Sequence, residues 1–255
     1  MFFTFEASCG SFIGNGRNKN EDNFYFDKRH LPMQNNGLKS PLKLTSTTKE
    51  QSFFAVFDGM GGEAYGEKAS CVAAEIFTEE VKQLKELVVS GKEFFYRACD
   101  KANKSINALE RQLQVNSIGT TVAAFCFSQN EVTACNVGDS KLFRIRDKKM
   151  IQISEDHTDE KILASMGIEK KPVLLQYIGM NEAEMVLEPF ISRGEIKSGD
   201  VYIACSDGVT DVLSLTEIYE LVSVDAPWES VNQLLASVNI KNGMDNATVV
   251  VVKIL

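Results

Sequence analysis

Residues 120–153 read TTVAAFCFSQNEVTACNVGDSKLFRIRDKKMIQI, and this stretch decides the fold class. Four short runs rich in β-branched and aromatic residues stand out: Thr120–Phe127, Glu131–Val137, Lys141–Arg146 and Met150–Ile153. Ser128-Gln129-Asn130, Gly138-Asp139-Ser140 and Asp147-Lys148-Lys149 separate them. Such runs suit a pleated, packed surface, and such connectors form turns. A parallel crossover needs a dozen or more residues, so connectors this short predict antiparallel neighbours.

Upstream, Phe53–Phe57 is a continuous apolar run, the pattern of a strand buried on both faces. Ala69, Val72, Ala73, Ile76, Phe77, Val81, Leu84 and Val88 then recur at helical spacing. After Ser90-Gly91 the period restarts at Phe95, Ala98, Cys99, Ala102, Ile106, Leu109 and Leu113, predicting an antiparallel helix pair. Residues 1–27 read as two short strands about a Gly-Asn-Gly turn at 14–16. Residues 28–51 are polar and turn-rich, so a solvated surface insertion is expected there.

Downstream, a short helical stretch at Asp159–Ser165 leads into loop-rich sequence through Pro189, and Val201–Cys205 is a second buried strand. Ser214-Leu215-Thr216-Glu217 is a capping box before Ile218, Leu221 and Val222. Val231, Leu234, Leu235 and Val238 mark another helix, and Ala247–Val252 a closing strand. Strands, helices, a strand meander, then helices and a strand define an α+β fold with segregated helices. A single domain over 1–255 is expected, since no linker or repeat divides the chain.

Lys and Arg number 27 against 35 Asp and Glu, for a net charge of −8. That balance argues against a nucleic-acid partner, whose recognition needs clustered cations. The longest apolar runs are strand-sized, well short of the roughly 18 residues of a membrane span, so no membrane partner is expected. The N-terminal Met-Phe-Phe-Thr-Phe-Glu lacks the basic and apolar parts of a secretory signal. Six cysteines stand alone, mostly within apolar patterns, as expected for free buried thiols in a reducing compartment. A cytoplasmic location follows as the expectation.

With two histidines in the chain, the chemistry falls to carboxylates. Asp58 follows Phe53–Phe57 and precedes Gly59-Met60-Gly61-Gly62. Asp207 follows Val201–Cys205 and precedes Gly208. Asp245 precedes Ala247–Val252, and Glu21-Asp22 precede Phe24-Tyr25-Phe26. Carboxylates at neighbouring strand ends could converge on a hard divalent cation, which prefers oxygen ligands. Taken singly, each Asp-Gly reads first as a structural turn, and Glu21-Asp22 as a solvated surface pair.

The motifs taken together resemble a known family. Arg17-x-x-Asn20-Glu21-Asp22 and Phe54-Ala55-Val56-Phe57-Asp58-Gly59-Met60-Gly61-Gly62 are followed, in family order, by Gly119-Thr120-Thr121, Asn136-Val137-Gly138-Asp139-Ser140 and Glu155-Asp156-His157-Thr158. Cys205-Ser206-Asp207-Gly208 and Asp245-Asn246-Ala247-Thr248 complete the series. Over about residues 8–253 the chain is similar to the protein phosphatase 2C (PPM) family of metal-dependent Ser/Thr phosphatases, in its bacterial form. The resemblance implies a four-layer α-β-β-α sandwich of two antiparallel sheets flanked by helices, with a metal cleft at one edge.

It further implies that Asp58 bridges two Mn²⁺ or Mg²⁺ ions, with the Gly59 carbonyl, Asp207 and Asp245 as further ligands. Glu21 and Asp22 would ligate directly or hold metal-bound waters. Asp139 would join Asp207 around a third, weaker ion, and Arg17 would grip phosphate. Arg17 and Asp58 are thus the implied catalytic residues. Two ions lower the pKa of a shared water and clamp the phosphoryl group for direct in-line attack, while a guanidinium fork binds two phosphate oxygens. Taken alone, Arg17 also reads as a surface salt bridge and Asp139 as a turn aspartate. The implied substrates are phosphoserine and phosphothreonine proteins modified by a Ser/Thr kinase, acted on by a monomer.

Two departures bear on mechanism. Met60 stands where eukaryotic relatives carry a proton-donating histidine, so leaving-group protonation falls to water. Ile162–Gln176, in the place of the family's substrate-bordering flap, is short. His30 reads as solvent-facing and His157 as a structural histidine near a turn. The competing readings are a non-enzymatic phosphoprotein-binding module of the same fold, which would be expected to lack a ligand, and a hydrolase of small phosphate esters.

Overall fold

In the computed structural model, which describes residues 2–61, 65–84, 89–115, 117–183, 185–222 and 226–255, the chain opens with β1 (Thr4–Phe12), β2 (Asn23–Phe26), β3 (Leu42–Thr47), β4 (Ser52–Phe57) and the two-residue β5 (Gly59–Met60). Helices α1 (Gly66–Gln83) and α2 (Gly91–Leu113) follow. Next come β6 (Gly119–Thr120), β7 (Val122–Ser128), β8 (Glu131–Val137), β9 (Lys141–Arg146) and β10 (Lys149–Gln152). A short α3 (Glu160–Ser165) precedes β11 (Phe190–Glu195) and β12 (Val201–Cys205). The chain closes with α4 (Asp207–Thr210), α5 (Leu215–Val222), α6 (Pro227–Ile240) and β13 (Ala247–Ile254).

Hydrogen bonding gathers these strands into a six-stranded sheet, ordered β10-β9-β12-β13-β1-β3, and a five-stranded sheet, ordered β11-β8-β7-β4-β2. β5 and β6 form a separate ribbon. Neighbours run antiparallel in both sheets. The continuous apolar runs have a direct cause: their alternate residues serve different cores. Phe53, Ala55 and Phe57 of β4 pack with Ala73 and Phe77 of α1 and Phe94 and Phe95 of α2. Phe54 and Val56 turn the other way, to Phe5, Phe125, Tyr202 and Val250. Across the molecule, Val249 and Val251 of β13 meet Val231, Leu234 and Val238 of α6.

Three apolar layers therefore separate four structural ones, the expected α-β-β-α sandwich. Aromatic edges knit the central layer: Phe5 meets Phe54 at 5.8 Å and Phe127 meets Tyr202 at 5.1 Å, both near-perpendicular. Such pairs add to plain area burial. The capping box at α5 forms as read: the Glu217 N–H donates to Ser214 Oγ at 3.3 Å, and the Ser214 N–H donates to Glu217 Oε2 at 3.0 Å. The six cysteines are buried and free. Among the described residues, no helix is long and apolar enough to cross a membrane.

The structure corrects several sequence expectations. The segment 28–51 is not simply a solvated loop. It contains β3, which pairs with β1 from Thr4↔Thr47 to Cys9↔Leu42 and forms the sheet edge. Leu31 is buried, and Leu38, Leu42 and Leu44 pack on the central core. Only alternate residues of β3 face inward, so the polar outer set masks its signal. The two strands of residues 1–27 make no hairpin, because β1 and β2 lie in different sheets.

The turn Gly138-Asp139-Ser140 likewise joins no sheet neighbours, since β8 belongs to the five-stranded sheet and β9 to the six-stranded one. Stacked sheets lie about 10 Å apart, a gap three residues of about 3.3 Å each can span. β11 begins just after the loop-rich sequence that ends at Pro189, where no strand is expected, and pairs with β8. Of the motifs read from sequence, Gly62 and Val88 lie outside the described residues.

Because Leu31 is 5% exposed within this segment, Leu31→Ala should lower stability by about 2–4 kcal/mol, as for other buried leucines. The exposed Lys39 replaced by Ala should stay within about 0.5 kcal/mol of the parent. Urea unfolding of both variants measures the contrast. Equal midpoints would mean that the segment does not contribute to the core.

Candidate active site

The acidic residues lie in the connections at the ends of β1, β4, β8, β12 and β13. Asp58 follows β4, and the Gly119-Thr120-Thr121 motif holds it in place. The Thr121 N–H and Thr120 Oγ1 donate to the Asp58 carbonyl, both at 2.9 Å, while the Asp58 N–H donates to Thr121 Oγ1 at 3.0 Å. Thr121 Oγ1 lies 2.6 Å from Ser140 Oγ, which ties this corner to the turn bearing Asp139. The Gly59 N–H donates to the Glu21 carbonyl at 3.2 Å. A Cβ on Gly59 would stand 2.2 Å from the Gly66 carbonyl oxygen and 2.4 Å from that of Glu21, so glycine is required for α1 to begin here.

Asp207 opens α4 two residues after β12. The preceding Ser206 donates from Oγ to Asp22 Oδ2 at 2.7 Å and accepts from the Thr248 N–H at 2.9 Å. Gly208 is required by close approach, since a Cβ there would come within 2.0 Å of the Asn246 carbonyl oxygen. Asp245 leads into β13. Arg17 grips it with a bidentate fork, Nε to Oδ1 at 2.8 Å and Nη2 to Oδ2 at 2.6 Å.

The electrostatics show what the grouping lacks. Burial pushes the Asp58 carboxyl well above its ordinary range, and the nearby charges of Asp22, Asp207 and Asp139 push it further. Burial raises Asp207 as well, and Asp211 adds to it. Asp22, 1% exposed, is pushed up to about 7 by desolvation, against the opposing hydrogen bond from Ser206. Asp139 rises to about 6 through burial and Asp207. Glu21 rises through burial and then Glu67. Asp22 Oδ1 is buried without a hydrogen-bond partner.

A set of repelling, desolvated oxygen donors with an orphaned carboxylate oxygen fits hard divalent cations. Among the described residues, no three acidic, cysteine or histidine side chains are drawn tightly enough to form a finished ligand cluster.

The structure thus brings Glu21, Asp22, Asp58, Gly59, Asp139, Asp207 and Asp245 to one rim, with Arg17 beside them. His157 stands apart from the acids. Its Nδ1 accepts from the Gly138 N–H at 3.2 Å, its own N–H donates to the Gly138 carbonyl at 3.0 Å, and burial lowers its pKa. It clamps the Asp139 turn through these two bonds to Gly138. Met60 lies in β5, paired with Gly119. Sequence reading passed over Glu67, in the first turn of α1, whose Oε1 lies 3.3 Å from Lys19 Nζ and whose Oε2 is buried and unpaired. An acid one residue after a helix-opening glycine was its only signal. Asn246 was quoted only as part of a motif, without a role.

The protein phosphatase 2C family model matches residues 42–246, and the chain belongs to that family of phosphoprotein hydrolases. It is 28% identical over 216 residues to the serine/threonine phosphatase Stp of Listeria monocytogenes, covering 80% of this chain and 84% of that one. It is 29% identical over 213 residues to PstP of Mycobacterium tuberculosis, covering 79% of this chain but 40% of that longer protein.

Among solved structures, the PstP catalytic domain in complex with two manganese ions superposes over 100% of both chains with a TM-score of 0.77 and 25% identity. PppA of Pseudomonas aeruginosa shares the fold over 100% of both chains, at a TM-score of 0.78 and 20% identity.

Raised carboxyl pKa values fix the sign of a pH effect. At these groups the folded state holds protons that the unfolded chain releases near pH 4, so their contribution to stability is fully present below that and is lost as pH rises through the folded values of about 6 for Asp139 and about 7 for Asp22. In chelator, the melting temperature should therefore drop between pH 5 and pH 8. Asp22→Asn should flatten the slope, and added Mn²⁺ should restore the pH 8 value. Calorimetric scans across that range decide it; a melting temperature rising from pH 5 to pH 8 would contradict the assignment.

Proposed function

We propose that this chain is a metal-dependent protein serine/threonine phosphatase that hydrolyses phosphoserine and phosphothreonine by direct attack of water. The observation that carries the reading is the convergence, from both sheets, of buried carboxylates that raise one another's pKa around Asp58. A phosphoprotein-binding module would not need to hold so many neighbouring carboxyls out of water.

Asp58, the Gly59 carbonyl, Asp207 and Asp245 would hold two Mn²⁺ or Mg²⁺ ions, with Glu21 and Asp22 as direct ligands or as holders of metal-bound waters. When bound, such ions supply an activated water at neutral pH and offset charge on the phosphoryl oxygens. Asp139, on the turn that Thr121 and His157 hold and near enough to Asp207 to feel its charge, would serve a third, weaker ion. Arg17 supplies recognition: its fork already spans two carboxylate oxygens, and a phosphate presents a similar edge. Met60 has no proton to give, so no side chain at that position protonates the leaving oxygen. Six buried thiols accord with work in a reducing cytoplasm, on phosphoproteins made by a Ser/Thr kinase. A monomeric single domain suffices, since every residue of the proposed site comes from one chain.

Asp58→Asn and Asp207→Asn should each lower turnover by about a thousandfold or more, because both charges hold the ions. Arg17→Ala should act mainly on KM, raising it about tenfold with a smaller loss of kcat. Phosphate release from phosphoserine, phosphothreonine and phosphotyrosine peptides, with Mn²⁺ or with EDTA, measures all three. Turnover surviving complete metal removal would overturn the proposal, and a preference for small phosphate esters over phosphopeptides would redirect it.

Asp139→Ala should lower kcat at least about tenfold while two tight metal sites remain by calorimetry, the outcome expected of an ion that assists without anchoring the pair. An unchanged kcat would make Asp139 a turn residue.

A further inference from the structure

One buried side chain ties the connection between β1 and β2 to the head of β13. Asn246 is 3% exposed. Its Oδ1 accepts from the Glu21 N–H at 2.7 Å, and its Nδ2 donates to the Ile13 carbonyl at 2.6 Å and the Lys19 carbonyl at 2.9 Å. Its backbone N–H donates to Asp245 Oδ1 at 2.8 Å. The amide thus holds both ends of the stretch that carries Arg17, and its own backbone steadies the carboxylate that Arg17 grips. Its carbonyl oxygen also rests against Gly208, beside Asp207.

We propose that Asn246 is a positioning residue that sets the Arg17 guanidinium, the phosphate grip, and the Glu21 backbone relative to Asp245. The inference rests on the phosphatase reading for what Arg17 grips, but the contacts themselves do not. Both amide protons are used, and the oxygen takes a third bond, so few other side chains fit. Aspartate would lose both donors and add charge beside Asp245, while alanine and serine cannot span the gap. Two backbone bonds remain when the amide is removed, Asn15 N–H to the Gly243 carbonyl at 2.9 Å and Gly16 N–H to the Met244 carbonyl at 3.0 Å. They keep the connection near β13. Loss of the amide should therefore misplace Arg17 and not release the segment, and a small misplacement is enough to weaken an oriented contact.

The test is a double-mutant cycle of Asn246→Ala and Arg17→Ala on a phosphothreonine peptide with Mn²⁺, alongside the Arg17 Nε–H resonance in NMR spectra of the full chain. Asn246→Ala should raise KM about tenfold while kcat changes less than about threefold, the pattern of lost ground-state binding. In the Arg17→Ala background the same change should alter KM less than about twofold, because residues that act through one another are not additive. A merely structural asparagine would give effects that multiply, and that result overturns the proposal.

If Asn246→Ala does not fold, Asn246→Gln, which keeps the amide but sets it one methylene further out, runs the same cycle with the same two outcomes. Absence of Mn²⁺-dependent turnover in the parent protein, or an unaltered KM in Arg17→Ala, would count against the phosphatase reading. The NMR measurement then decides the positioning role alone. The Arg17 Nε–H signal should shift or broaden in the Asn246 variant, and an unchanged signal overturns the inference.

Discussion

Asp22, Asp58, Asp139 and Asp207 repel one another at a rim partly shielded from water, and the rest of the molecule is arranged to keep them there. Left free, carboxylates so close would move apart or into solvent. What resists is the rigidity of the strands that carry them. Asp58 follows β4 and Asp207 follows β12 by two residues, and both strands are buried on both faces. Neither strand can slip by one residue without exchanging the side chains that face two separate cores. The apolar layers are thus the means by which charge is held in an unfavourable place.

A second set of contacts works at shorter range. Ser206 and Thr248 connect to Ser11 Oγ, which lies 2.9 Å from Thr248 Oγ1, and Asn20 Nδ2 donates to that same Ser11 oxygen at 2.9 Å. Asn20 Nδ2 also donates to Asn35 Oδ1 at 2.9 Å. The chain of bonds runs from Asp22 to the segment before β3, through hydroxyls and amides that are largely buried. Satisfied buried networks of this kind specify one arrangement, because any shift leaves a polar group unpaired in a low-dielectric setting. The segment 28–51 is therefore tied to the acidic rim as well as to the sheet edge.

Against this rigid frame, the surface after β10 is different in character. α3 has no buried residue, and Ile162, Met166, Ile168, Val173 and Leu175 are exposed. Exposed apolar side chains gathered in one region commonly mark contact surfaces. The fold is retained at 20% identity with PppA. Such tolerance is reasonable for a fold maintained by alternation and by close-approach glycines, since many apolar sequences satisfy the same pattern.

The buried strands at Phe53–Phe57 and Val201–Cys205, the helix stripes on either side of Ser90-Gly91 and the α5 capping box were legible in the chain, because these features are local. The acids of the proposed site drew notice by their places at strand ends and turns and gained roles only through the order of the motifs. A strand's period, a helix's face and an Asp-Gly at a strand end are written within a few residues. The partition of strands between two sheets was not. Gly138-Asp139-Ser140 looks like any short hairpin turn, yet it crosses from one sheet to the other. β3 and β11 were hidden because partly exposed edge strands carry mixed side chains. Glu67 beside Glu21, the Arg17 fork on Asp245 and the Asn246 clamp join residues dozens to hundreds of positions apart. Only the packing of three apolar layers brings them together, since distances between remote residues are decided by long-range burial and not by local propensity.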